Sequence, residues 1–394
     1  MTVSVIEPGA VVGVLGGGQL GAMFAAAARR LGYQVAVWDP DCDAPAHQWA
    51  DHSFPYSFDD HGAYDRFTEL VSVVTYEWEN IPTGLCGQLE RRRPVRPAGR
   101  ILNMIQDRIE QKSYLHAHGF PIPSFRAAAS PEGLSVAAEL GYPCICKTAT
   151  AGYDGKGQWR ITGAEDLRRV QAELRATART GSRWIVEEWL DFERELSLLV
   201  VRNVRGEVRV YPLVENLHQD GILRQTTVPA EVSSTTASEA AATAERLVCE
   251  LDGIGVFCLE LFLMRGGRLL INEVAPRPHN SGHYTIDACT VSQFEQQVRA
   301  VCGLPLGEVR LLTPAAMINL IGDEVERARS QPGLSQLLAL PGTALHLYGK
   351  RAVRAKRKMG HLTFLAPVKE TAVARAETFR SQLTRGAAPS SKSS

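Results

Sequence analysis

Apolar runs of strand length alternate with helix-like segments over the first part of the chain. AVVGVL, QVAVWD and VSVVTYE read as strands, and GAMFAAAARRLG after the first reads as a helix. This alternation predicts an α/β doubly wound unit. A polar helical stretch, RILNMIQDRIEQKSYLHAHG, then runs into Pro121 and Pro123, where a helix is expected to stop. A small unit follows: a helix ending near Gly141, the strand PCICKTAT, the loop AGYDGKGQ, a further strand, a helix over 164–179 and the strand RWIVEEWL. From Glu193 onward long strands dominate (ELSLLVVRN, EVRVYPLVEN, GVFCLELFLM, RLLINEVAPR), with helices near 237–251 and 290–302, which predicts an α+β unit. The expected domains are 1–112, 113–188 and 189–385, and the tail 386–394 is expected to be disordered because it has no apolar periodicity.

The segment GVLGGGQLG raises the first functional question. Gly16, Gly18 and Gly21 fit G-x-G-x-x-G between a strand and a helix, and Asp39 ends the next strand, where an acidic residue meets the ribose of a dinucleotide. An NAD(P)-dependent dehydrogenase is therefore one reading; a tight strand-to-helix turn with no ligand is the other. Composition narrows the field. Forty-three basic residues balance forty-three acidic ones, so no global field favours nucleic acid or a membrane surface. The apolar stretch AMFAAAA ends at Arg29, short of the roughly 20 residues a membrane span needs, and no cleavable leader is recognised. Eight cysteines without a C-x-x-C pair suggest reduced thiols in a cytoplasmic protein, with Cys144 and Cys146 as small core residues.

Two constellations carry chemistry. If Gly266 and Gly267 form a two-residue turn, Phe262 faces Ile271, Met264 faces Leu269 and Glu260 faces Glu273. Two carboxylates opposed between apolar neighbours need a cation or a shared proton, and hard oxygen ligands suggest magnesium. Strict alternation puts Asn272 on the other face, so a metal role for it requires a kink. The loop AGYDGKGQ has glycines that free backbone amides for phosphate oxygens, with Lys156 adding charge; a flexible hairpin turn fits it as well. Lys147 lies inside the apolar strand before it, where a lysine rarely serves packing, and a phosphate partner would explain it.

The glycine-rich flap, Lys147, the strand end EEWL followed by Glu195, and the paired acidic positions together resemble the ATP-grasp superfamily. Within it, GVLGGGQLG, TYEWENIP, QDRIEQK, GYDGKGQW, INEVAPRPHNSGHYTIDAC and YGKRAVRAKRKMGH occur in the order seen in the 5-(carboxyamino)imidazole ribonucleotide synthases of purine biosynthesis, over about Val11 to Pro367. Ala151 departs from the second glycine that relatives often carry before the flap. The resemblance implies an ATP-grasp fold behind a Rossmann-like pre-ATP-grasp domain, with ATP as co-substrate and Mg2+ as cofactor. It implies that Arg108 and Lys147 contact the ATP phosphates and that the flap (Gly152, Tyr153, Asp154, Gly155, Lys156, Gly157, Gln158) covers them. Glu187, Glu188, Trp189 and Leu190 would form the adenine hinge, Glu195 would hold the ribose, His218 would lie near the nucleotide, and Glu260 and Glu273 would bind the metal. Asn272 is also used in relatives. For the ribonucleotide the resemblance points to Gln19, Leu20, Glu77, Glu79, Tyr153, Asp154, Arg277, His279, Asn280, Lys350 and Arg357, with Asp154, Arg277 and Lys350 as the catalytic set.

The resemblance implies a ligase in which bicarbonate and ATP form carboxyphosphate, which then carboxylates the amine of 5-aminoimidazole ribonucleotide. A homodimer without nucleic-acid or membrane partners is expected. Biotin carboxylase is the nearest alternative inside the superfamily, and the dehydrogenase is the rival from another class. A non-catalytic nucleotide sensor would need a broken site, and none is seen in the sequence.

Overall fold

A computed structural model describes residues 5–150, 152, 156–330 and 333–385, which form three sheets. The first is parallel, in the order β3-β2-β1-β4, from β1 (Val11–Leu15), β2 (Gln34–Trp38), β3 (His52–Phe54) and β4 (Val73–Tyr76). Both faces of β1 and β2 are covered, which is why these strands are continuous apolar runs. Part of that cover comes from the far end of the chain: Phe294, Val298 and Val301 of the helix Gln293–Cys302 join Val12, Val35 and Phe24 in one core. This contact fixes the N-terminal sheet against the C-terminal part of the molecule.

The second sheet is antiparallel, in the order β5-β8-β6-β7, from β5 (Phe125–Ala128), β6 (Cys144–Thr148), β7 (Gln158–Ile161) and β8 (Trp184–Glu188). Cys144 and Cys146 are buried in its core, and the eight cysteines are free thiols. The third sheet is nine-stranded. It comprises β9 (Phe192–Arg202), β10 (Val208–Val210), β11 (Val214–Gln219), β12 (Ile222–Val228), β13 (Gly255–Met264), β14 (Leu269–Ala275), β15 (Ala315–Ile321), β16 (Thr343–Leu347) and β17 (Lys358–Leu365). Its order is β14-β13-β9-β11-β12-β15-β17-β16, with β10 paired to β9. Among the described residues, no helix is long and apolar enough to cross a membrane.

Three local expectations need correction. The single helix expected over RILNMIQDRIEQKSYLHAHG is two, Gly99–Gln106 and Arg108–Ala117. Asp107 separates them because its carboxylate caps the second, accepting from the amides of Ile109 (2.8 Å) and Glu110 (3.2 Å). EVRVYPLVEN is likewise two strands, β10 and β11. In the β13–β14 hairpin, Gly266 and Gly267 do turn the chain, both with φ of 89°. The pairs next to the turn are Leu263–Leu269, Phe262–Leu270 and Leu261–Ile271, one residue out of the expected register. A β-bulge beside Glu260 then absorbs Asn272, and Glu260 faces Glu273 as calculated.

Candidate active site

The glycine turn after β1 is filled by the protein itself. The Gly18 amide donates to Glu77 Oε1 at 2.8 Å, the Gly21 amide to Glu77 Oε2 at 3.2 Å, and the Gly17 amide to Asp39 Oδ2 at 2.6 Å. A β-carbon on Gly18 would meet Glu77 Oε1 at 2.8 Å, so glycine here makes room for a carboxylate of the same chain. The anion position at this helix N-terminus, where a dinucleotide pyrophosphate would sit, already holds a negative group. Asp39 is used in the same way, and its other oxygen accepts from the Asp41 amide at 2.8 Å. The dehydrogenase reading is thereby overturned. Burial pushes the Glu77 carboxyl above its ordinary range, against the opposing pull of the Gly18 amide and the Arg277 charge.

Two residues beyond Glu77, Glu79 pairs with Arg277 at 2.8 Å, joining the end of β4 to the loop after β14. Burial raises the Glu79 carboxyl, and Arg277 opposes that rise. Arg108, the first residue of its helix, reaches Glu273 at 2.7 Å and donates to the Gly152 carbonyl at 3.0 Å. The cation thus links the hairpin to the start of the flap. Four residues later on the same helix face, Lys112 is 3% exposed and bonds Glu187 at 3.1 Å and the Ile271 carbonyl at 3.1 Å. Lys147 pairs with the other oxygen of Glu187, which supplies a protein partner for that half-buried lysine. Burial would raise the Glu187 carboxyl, but the two ammonium groups outweigh it and hold the group well below the usual range. Lys112 was not among the residues expected at the site. Its i, i+4 spacing from Arg108 in QDRIEQK was the available signal.

At the hairpin, Glu260 and Glu273 face each other across the bulge, and Asn272 Nδ2 lies 3.5 Å from Glu260 Oε2. The bulge is the kink that brings Asn272 toward the carboxylates. His279 Nε2 stands 3.3 Å from Glu260 Oε1. Burial and the neighbouring Glu273 raise the Glu260 carboxyl to about 7. Burial acts on Glu273 in the same direction, but Arg108 overrides it and keeps that carboxyl below its ordinary value. A small cavity beside the pair is lined by Glu195, Asn216, His218, Glu260 and Asn272. His218 Nδ1 bonds Glu195; burial disfavours its charge, yet the Glu195 contact leaves its pKa raised. The structure therefore brings Glu195, His218, Glu260, Asn272 and Glu273 into one place from four strands.

The other expected residues vary in what their side chains offer. Glu188 Oε1 accepts from the Ser124 amide at 2.8 Å, Leu190 is half-buried, and Trp189 is exposed under the Arg160 guanidinium, 4.3 Å from its ring. Gln19 opens the helix after the glycine turn, while the Leu20 side chain is packed in the core, leaving only its backbone to meet a ligand. Asn280 is buried, and neither of its amide atoms has a hydrogen-bond partner. Lys350 Nζ donates to the Lys358 carbonyl at 2.9 Å, and Arg357 Nη1 to the Ala352 carbonyl at 3.0 Å. In the flap, Gly157 has φ of 69° and Gln158 starts β7, with Lys156 just before them. Tyr153, Asp154 and Gly155 of the flap, and Ala151 before it, lie outside the described residues.

Family models match three consecutive stretches: a ribonucleotide synthetase preATP-grasp domain over 10–106, an ATP-grasp domain over 113–294, and a phosphoribosylaminoimidazole carboxylase C-terminal domain over 315–375. The chain is 41% identical to the N5-carboxyaminoimidazole ribonucleotide synthase of Bacillus subtilis over 93% of its own length and 94% of that protein. It is 40% identical to the enzyme of the same name from Brucella melitensis, covering 92% and 98%. A crystal structure of an N5-carboxyaminoimidazole ribonucleotide synthetase with ADP superposes with a TM-score of 0.90 at 40% identity, covering 96% of this chain and 98% of that one. The Aspergillus clavatus N5-carboxyaminoimidazole synthase, in complex with ADP and 5-aminoimidazole ribonucleotide, superposes with a TM-score of 0.86 at 33% identity, covering 96% and 100%.

Proposed function

The chain belongs to the N5-carboxyaminoimidazole ribonucleotide synthase family, and from that premise we infer that it is an ATP-dependent ligase of purine biosynthesis. It carboxylates 5-aminoimidazole ribonucleotide to N5-carboxyaminoimidazole ribonucleotide. The observation that best supports this reading is the crowding of Glu260 and Glu273 next to Arg108, which itself reaches the flap at Gly152. That arrangement suits a charged phosphoryl group between the hairpin and the lid.

In this reading the three units divide the work. Residues 1–112 serve the ribonucleotide, 113–188 form the lid over ATP, and 189–385 carry the metal end. An oxygen of bicarbonate attacks the γ-phosphorus of ATP as the bond to ADP breaks, giving carboxyphosphate. The exocyclic amine of the ribonucleotide then attacks the carboxyl carbon, phosphate leaves with the bicarbonate oxygen, and the amine loses a proton. Arg108 and Lys147 offset charge on the phosphates, with Lys112 and Glu187 holding Lys147 in place. Glu187 to Leu190 frame the adenine, and Glu195 with His218 lies beside the nucleotide. Glu79 holds Arg277 toward the carboxyl-transfer step, where Asp154 and Lys350 also act. His279 and the unpartnered Asn280 amide face the ribonucleotide, and Arg357 takes its phosphate. Gln19 and Leu20 follow the turn that Glu77 fills, so Glu77 shapes this end of the site. The flap with Tyr153 closes to exclude water, which would hydrolyse the intermediate.

The residues fit magnesium: two partly desolvated carboxylates with Asn272 beside them, hard oxygen donors within reach of Arg108 and His279. Glu260 and Glu273 would hold the ion, which when bound supplies positive charge at the transferring phosphoryl oxygens. We also assign the protein to the cytoplasm and to a homodimer. Phosphate release from ATP in bicarbonate buffer, with and without 5-aminoimidazole ribonucleotide, tests the function. Release stimulated by the ribonucleotide is expected; release independent of it points to another ATP-grasp carboxylase, such as biotin carboxylase.

A further inference from the structure

A second cluster of metal-ligating side chains lies apart from the carboxylate pair, at the far edge of the large sheet. His346 on the edge strand β16 and His361 on β17 are direct cross-strand partners, with rings 4.4 Å apart and nearly parallel. Asp287, on the short helix Thr285–Ala288, places its carboxylate 3.0 and 3.2 Å from His346 Nε2. One ligand atom from each of the three residues lies within 4.8 Å of the other two. His361 is fully buried, and its Nδ1 is taken by the Tyr348 hydroxyl at 2.9 Å. The nitrogen it has left, Nε2, is buried with no hydrogen-bond partner. Such an atom needs an explanation, and a cation held by that nitrogen is one.

We propose that Asp287, His346 and His361 form a binding site for a single zinc-class divalent ion that pins β16 and β17 to the helix Thr285–Ala288. One carboxylate oxygen and two imidazole nitrogens are a zinc donor set, with water as the fourth ligand. The Tyr348 hydroxyl engages Nδ1 of His361 and orients the ring; with the proton on Nδ1, donated to that hydroxyl, Nε2 offers a bare lone pair to a metal. His283 packs against His361, ring centroids 4.8 Å apart, but is not a ligand. Its Nδ1 faces the Gln293 amide nitrogen at 3.3 Å, and Gln293 is oriented by two 2.8 Å bonds to the His279 backbone. His283 Nδ1 therefore accepts, and its Nε2 carries the proton. Zinc bonds of roughly 2.0–2.2 Å draw the ligand atoms together, and the partly exposed His346 ring is better able to adjust than the fully buried His361. Asp287 follows the loop that carries Arg277 to Asn280, and Tyr348 precedes Lys350 by two residues. The ion therefore ties together two segments of the ribonucleotide end.

The test uses the full-length protein, stripped with a chelator and titrated with Zn2+ by calorimetry, with Co2+ as a spectroscopic probe of tetrahedral nitrogen and oxygen ligation. Wild-type protein is expected to take up a single equivalent and gain thermal stability. Asp287→Asn and His346→Ala, both at partly exposed positions, should each weaken uptake at least tenfold, and Tyr348→Phe roughly tenfold through loss of the orienting contact. Glu260→Gln should leave uptake unchanged. Zinc binding that survives His346→Ala and Asp287→Asn but disappears in Glu260→Gln would assign the ion to the hairpin carboxylates and overturn the proposal. The absence of saturable zinc binding to folded wild-type protein would overturn it equally.

Discussion

At the glycine turn, Asp39 accepts from the Gly17 amide and Glu77 from those of Gly18 and Gly21, whereas at the hairpin bulge Glu260 and Glu273 face each other with side chains alone as partners: the Arg108 cation, the His279 imidazole and the Asn272 amide. Both places gather carboxylates, the first just past the ends of β2 and β4, the second within β13 and β14. In the first, the fixed dipoles of the turn and helix terminus satisfy the charge from within, so the motif serves as scaffold. In the second, two partly buried carboxylates share the reach of Arg108 and His279, and one of them is pushed to about 7. A cluster that satisfies itself needs no cation; the one that crowds like charges is where we propose that magnesium is held.

The sharpest way to break this contrast is to remove one member of the crowded pair. Glu273→Gln should lower magnesium-dependent ATP turnover by roughly a hundredfold or more, the scale of several kcal/mol of charge stabilisation, while circular dichroism stays native. Unchanged turnover at limiting magnesium would erase the distinction between the two clusters. Arg357→Ala sharpens it from the other end of the site. The Michaelis constant for 5-aminoimidazole ribonucleotide should rise roughly ten- to hundredfold, from losing about 1.5–3 kcal/mol of a charge-assisted hydrogen bond, while that for ATP moves little. Equal loss for both ligands would point to a shared hinge, and no loss to a solvated basic face.

Glu77→Ala tests the self-satisfied cluster. It strands the Gly18 and Gly21 amides and should lower the unfolding free energy by about 1–3 kcal/mol in urea titration. An unchanged midpoint would mean that water replaces the carboxylate without loss. A pH series is the gentlest probe. Because the folded state holds the Glu260 proton up to about 7, the protein without metal should lose stability as pH rises from the ordinary carboxylate range to about 7. Magnesium competes with that proton, so its apparent affinity should fall by up to about tenfold per pH unit below 7. Magnesium titrations of activity at pH 6, 7 and 8 check this, and a flat profile would show Glu260 ionised throughout.

Local signals made much of this architecture legible. Gly266-Gly267 located the hairpin, although Glu260 meets Glu273 only because the bulge offsets a one-residue difference in register at the turn, and the lysine in an apolar strand marked Lys147 as unusual. The bulge at Asn272 left no trace beyond two consecutive polar residues in an apolar run, because bulges depend on the partner strand. The turn GVLGGGQLG could not be told from a dinucleotide site locally, since the carboxylate that fills it comes from Glu77, far along the chain. Lys112 was hidden for a similar reason: its partners Glu187 and Ile271 belong to two other sheets. Long-range pairing decided each of these, and a linear pattern does not carry it.

The central claim is that the crowded site joins bicarbonate to the γ-phosphate before the carboxyl group reaches the amine. Turnover of ATP and 5-aminoimidazole ribonucleotide with 18O-labelled bicarbonate tests it, read by mass spectrometry of the inorganic phosphate. The account predicts that each phosphate released carries an oxygen from bicarbonate. Phosphate whose new oxygen comes from water would contradict it.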